Sequence, residues 1–93
     1  RTLKMNNVKR IRQMDVRVGR AIRYLRRMRD VTQTEIARKL GLGSQMMVSR
    51  IERGERALSI GELDGVARLF KVPLGYFVDA AQAKGERPEW GKK

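Results

Sequence analysis

The chain contains neither histidine nor cysteine, so the side chains that most often hold zinc or activate a nucleophile are missing from the start. Ten acids dispersed among 22 bases are poor material for a catalytic carboxylate pair. The residues left with directed chemistry cluster in the run Gln45-Met46-Met47-Val48-Ser49-Arg50-Ile51-Glu52-Arg53. At about 100° per residue, Gln45, Met46, Ser49, Arg50 and Arg53 fall within an arc of about 140°, and Met47, Val48 and Ile51 fall on the other side. One face is therefore free to meet a partner while the other is buried. The Gln45 carboxamide has a donor beside an acceptor, which matches adenine N6 and N7, and the Arg50 fork matches guanine O6 and N7. Ser49 suits a base or a phosphate, and an outward Met46 suits a thymine methyl group or a protein partner. If the run is a helix in a major groove, these four are its base contacts.

Charge points the same way. The formal net charge is +12 over 93 residues. Residues 1–53 carry 15 bases and 4 acids, and residues 54–93 carry 7 and 6, so the halves hold +11 and +1. A charge serving only solubility would not collect in one half. The asymmetry implies an anionic polymer or surface against the first half, with nucleic acid ahead of membrane. No run of 18 apolar residues is present, so a spanning helix is not expected. The composition implies no cofactor and no metal, leaves little room for an enzyme, and suits a reducing compartment, a bacterial cytoplasm or a nucleus equally.

Short helices must position these groups. Asp15 can cap a helix running to about Arg29, with Val18, Ala21, Ile22, Leu25 and Met28 inward and Arg17, Arg20, Arg23, Arg26 and Arg27 opposite. Thr32-Gln33-Thr34-Glu35 and Ser59-Ile60-Gly61-Glu62 have the form of capping boxes, in which a hydroxyl takes the third amide and the Glu reaches back to the first. The first opens a helix with Ile36, Ala37 and Leu40 inside, and the second one with Leu63, Val66, Ala67 and Phe70 inside. Between them Ser44 can cap the polar run, which ends at Gly54. Pro73 suits the start of a last helix containing Leu74 and Phe77. The fold expected is all-α, a compact bundle of about five short helices over residues 15–79. Residues 1–14 read as a basic arm or an upstream extension of the first helix, since Val8 and Ile11 continue its stripe, and residues 80–93 as a flexible tail.

Val18 to Phe77 resembles the Cro/repressor-type (XRE-like) helix-turn-helix family of bacterial and phage transcription regulators. The resemblance rests on Gly19-x-x-Ile22-Arg23, Thr32-Gln33 before Glu35-Ile36-Ala37, Leu40-Gly41, Val48-Ser49-Arg50-Ile51-Glu52-Arg53-Gly54 and Leu63 to Phe70, in that order. One departure stands out. Six and nine residues after Gly41, where the family buries its next two positions, stand Met47 and Arg50, whereas the apolar pair here is Val48 and Ile51. Burying Arg50 would be costly, so the turn is expected to hold one extra residue, most simply Gly43.

The resemblance implies a lambda-repressor-like DNA-binding domain acting as a transcriptional regulator, most simply a repressor, on double-stranded DNA. Gln33 matches a backbone-contacting position of the family, and Arg26 and Glu52 match positions that commonly pair between its first and third helices. Thr32, Ser44, Arg53 and Arg56, near helix ends, join Gln33 as expected phosphate contacts. A single short helix reads few base pairs, so a homodimer on a palindromic operator is expected. The near-neutral second half supplies its interface through Leu74, Tyr76, Phe77 and Val78. An antitoxin or restriction-system controller would share this domain. A basic membrane-surface protein and an RNA binder are the readings from other classes, opposed by the polar face of the 45–53 run and by the scarcity of exposed aromatics.

Overall fold

Thr32 and Ser59 each start a helix as their sequence context dictates. Each hydroxyl accepts the amide of the third helical residue, at 3.0 Å, and Glu35 and Glu62 return to the cap amides at 2.8 and 3.0 Å. The computed structural model describes residues 4–82, with side chains from Val8 onward. Its helices are α1 (Lys4–Met28), α2 (Gln33–Leu40), α3 (Gln45–Glu52), α4 (Ile60–Phe70) and α5 (Leu74–Gln82), and there is no strand among the described residues.

The core forms where the apolar stripes meet. Ile22 of α1, Ile36 of α2, Val48 of α3, Val66 and Phe70 of α4 and Phe77 of α5 are its largest fully buried side chains. α1 packs on α3, α4 and α5, and α2 packs on α3 and α4. Gly19 sets how close α1 and α3 come: a Cβ there would strike the Ile51 carbonyl oxygen and lie 2.8 Å from that of Glu52. Gly54 ends the turn after α3 at φ +77°, a conformation that costs other residues energy, and it abuts Val16.

Four expectations need correction. Asp15 caps nothing, because α1 starts at Lys4 and runs through it without a break. The first helix thus begins eleven residues upstream, with Val8 and Ile11 on its surface 51% and 58% exposed. Ser44 occupies the N-cap position of α3 in extended conformation, yet its side chain makes no capping hydrogen bond. Ala80 and Ala81 belong to α5 and are buried, and α5 packs along α1. The rest of the expected tail, residues 83–93, lies outside the described residues, as do residues 1–3 of the expected arm. Phe77 is wholly buried in the core and offers no surface to a partner, whereas Leu74 and Tyr76 are half-buried and Val78 is 41% exposed.

Candidate nucleic-acid interface

The turn between α2 and α3 is Gly41-Leu42-Gly43-Ser44. Gly41 adopts φ +71°, and Leu42 donates its amide to the Ala37 carbonyl at 2.8 Å, which closes α2. With that four-residue turn, Val48 and Ile51 are buried while Arg50 is exposed. The register inferred from the cost of burying an arginine is the one observed. α3 consequently turns Gln45, Met46, Arg50 and Arg53 outward, with Ser49 half-exposed beside them.

A polar chain joins this face to the core. Arg26 donates through Nε and Nη2 to the two carboxylate oxygens of Glu52, at 2.6 and 3.1 Å, and through Nη1 to the Val31 carbonyl at 3.3 Å. Glu52 is one of the buried residues of α3, with its side chain 3% exposed, and it has a second donor: Gln33 Nε2, 2.9 Å from Oε1. Gln33 Oε1 in turn accepts from Gln45 Nε2. Chemistry fixes the direction of this chain. A carboxylate paired to arginine only accepts, so Gln33 must turn its NH2 inward and its oxygen outward, and Gln45 must answer with an N–H. Gln45 is left with its own oxygen and its second N–H for an external partner, the acceptor and donor that an adenine edge requires.

The remaining expected contacts divide. Arg53 donates to Ser49 Oγ at 3.0 Å and forms a two-pronged pair with Glu55, at 3.1 and 3.2 Å. Both members of that pair are about half exposed, so water screens it and the guanidinium exchanges partners at little cost. Arg56 is otherwise engaged. Its two Nη atoms hold the two oxygens of Glu62 at 3.1 and 3.2 Å, with both side chains largely covered. That arginine fastens the α3–α4 loop to the start of α4. Thr32 is occupied as a cap, as its capping-box spacing required, although it remains exposed.

The cleft in front of α3 is lined by Gln33, Gln45, Ser49 and Arg53, and by Arg23 and Arg27 of α1, with Asp30 at the end of that helix. Sequence reasoning saw Arg23 and Arg27 only as part of a general arginine face; their share in this cleft depends on the α1–α3 crossing that Gly19 allows. The bond from Gln33 to Glu52 was also missed, because two residues 19 apart on different helices leave no local signal. Among the described residues no cluster of acids could hold a metal ion, and no helix is long and apolar enough to cross a membrane.

The helix-turn-helix family model matches residues 22–77, from the core of α1 to the core of α5. The chain belongs to the XRE-type helix-turn-helix family. This is an all-α family of DNA-binding transcription regulators whose members are typically non-enzymatic. Among its relatives are uncharacterised HTH-type transcriptional regulators of Sinorhizobium medicae (strain WSM419) and Rhizobium meliloti (strain 1021), each 26% identical over 81 residues, covering 87% of this chain and 58% of the relative. A transcriptional regulator in the ATPase CF(0) region of Rhodospirillum rubrum is 31% identical over 67 residues, covering 72% of this chain and 61% of the relative. The chain thus spans about three fifths of the length of the curated relatives it matches. Within the family match α2 and α3, with the turn between them, form the helix-turn-helix, and Gln45, Met46 and Arg50 stand on the outward side of its second helix.

Proposed function

We propose that this helix-turn-helix protein binds double-stranded DNA sequence-specifically in the cytoplasm and represses transcription by occupying its operator. α3 lies in the major groove, where Gln45 reads an adenine, Arg50 a guanine, and Met46 and Ser49 contact neighbouring bases. Gln33, Arg53, Thr32 and Ser44 take phosphates on either side. The observation that carries this reading is the outward edge of Gln45, held in one orientation from Arg26 through Glu52 and Gln33. An amide pre-set in that way loses little freedom when a base arrives.

Two copies bind a palindromic operator, paired through surface residues of α5, with Leu74 and Val78 on one side of that helix and Tyr76 on another. Duplex titration tests the core of the proposal. If about 6 phosphates are neutralised, log affinity falls with log salt at a slope near −5, and the site protected on a long duplex shows two-fold symmetry. Affinity that is flat in salt, or protection without symmetry, contradicts it.

A further inference from the structure

The cations of α1 divide by direction. At about 100° per residue, Lys9, Arg12, Arg20, Arg23 and Arg27 share an arc of about 80° along the helix. Three basic residues off that arc serve the fold. Arg17 donates to the Ala81 carbonyl at 3.0 Å, Arg26 holds Glu52, and Arg29, just past the helix, donates to the Phe70 carbonyl at 2.6 Å. Arg10, also off the arc, stands exposed beside a groove formed with Met14 and Ala81. The five on the arc are all exposed and pair with no acid among the described residues. Asp15, the only carboxylate of α1, lies outside the arc and lines an apolar groove with Val18 and Val78.

A solvated helical face ordinarily places acids three or four residues from its bases, because like charges at that spacing repel. Here Lys9 and Arg12, Arg20 and Arg23, and Arg23 and Arg27 are such neighbours, and no acid on the arc relieves them. The row runs for about 27 Å at 1.5 Å per residue. Its far end, Arg23 and Arg27, already lines the cleft beside Gln45 and Ser49. From there Arg20, Arg12 and Lys9 lead away along one side of the domain, past the end of α3.

We propose that α1 is a second duplex-contacting element, whose row Lys9, Arg12 and Arg20 takes backbone phosphates flanking the base pairs that α3 reads. The inference rests on the duplex-binding reading above and adds a contact surface that reads no bases. The row is a spaced line of cations rather than a patch, which fits the regular charge of a nucleic-acid strand.

The test uses the full chain and a mixed-sequence duplex of about 40 base pairs, titrated between about 50 and 200 mM salt. The variant Lys9→Gln/Arg12→Gln keeps the helix, as circular dichroism checks, and makes the salt slope shallower by about two. Arg20→Gln makes it shallower by about one, and Arg10→Gln, off the row, leaves it unchanged. If wild type shows the steep slope and Lys9→Gln/Arg12→Gln matches it, or if Arg10→Gln loses as much per charge as the row variants, the α1 surface is refuted while the α3 reading stands. No duplex binding by wild type refutes both. Binding to phosphatidylglycerol vesicles that the double variant abolishes, with its duplex slope intact, assigns the row to membrane and overturns the proposal.

Discussion

Arg26 and Glu52 form a pair whose worth depends on where it is measured. Both are largely covered, and the carboxylate also takes Gln33. Removing one partner from such a pair strands a charge, so Arg26→Ala is expected to lower stability by about 3 kcal/mol in denaturant unfolding. Replacing both, as Arg26→Met/Glu52→Leu, should recover most of that loss. The double variant still lacks the acceptor that orients Gln33 and Gln45, so it should fold yet discriminate poorly at the adenine position. Normal discrimination by a well-folded double variant would show that the amide chain does not set the orientation of Gln45. The ion pair was legible in the sequence through the family spacing of Arg26 and Glu52. Its extension to Gln33 was not, because side chains from three helices converge on one carboxylate only after the bundle has closed. The pair of Arg56 with Glu62 was not legible either, because a glutamate already committed to a capping box gives no local sign of a second partner.

The starts of α2 and α4 and the rotation of α3 were the readable features among the elements. Both capping boxes form as their spacing requires, and the apolar pair Val48 and Ile51 gave the rotation of α3 despite the longer turn. For α1 two starts were legible, a cap at Asp15 and an upstream extension, and the helix takes the second, beginning at Lys4. A cap at Asp15 is good local chemistry, but Val8 and Ile11 extend the helical stripe upstream, and a continuous helix keeps backbone hydrogen bonds that a cap would interrupt. The crossing of α1 with α3 should tolerate little change, and Gly19→Ala should cost about 1–3 kcal/mol or more, since the new methyl meets backbone rather than a movable side chain. An unaltered unfolding midpoint would mean that the two helices separate easily. The caps also carry a pH dependence. The Arg56 guanidinium foremost, and then the Ser59 amide, hold the Glu62 carboxyl below the ordinary glutamate range; for Glu35 the Thr32 amide does so. A lowered folded pKa contributes stability that is complete above the unfolded value, about 4.3, and is lost as pH falls through the folded value. Melting temperature should therefore fall on acidification below about pH 4.3, and Glu62→Gln should flatten that decline. An identical acid profile for Glu62→Gln would contradict this role.

The molecule as a whole is charged on one side of its sequence and nearly neutral on the other, and that division governs how copies can meet. Pairing through the α1–α3 face would set arginine against arginine. The surface of α5 has no such obstacle, although it is smaller than the sequence suggested, because Phe77 closes the core of its own bundle. The three-residue spacing of Leu74 and Phe77 already suggested that these two point inward, and Phe77 does so completely. Tyr76→Asp, at a half-buried position of α5, should dissociate the pair in sedimentation and leave helical content intact. A wild-type chain that stays monomeric on a palindromic duplex would defeat pairing through α5 and leave the reading by α3 untouched.

Reading of bases by α3 is tested most directly by selecting duplexes from a random library with wild type and with Arg50→Ala. Wild type should enrich a short motif containing both an adenine and a guanine position. Arg50→Ala should lose preference at one G·C pair only, at a cost of about 1–3 kcal/mol for that site, and keep the adenine that Gln45 reads. Enrichment of no motif by wild type, or a uniform loss across all positions in Arg50→Ala, would contradict base reading by this face.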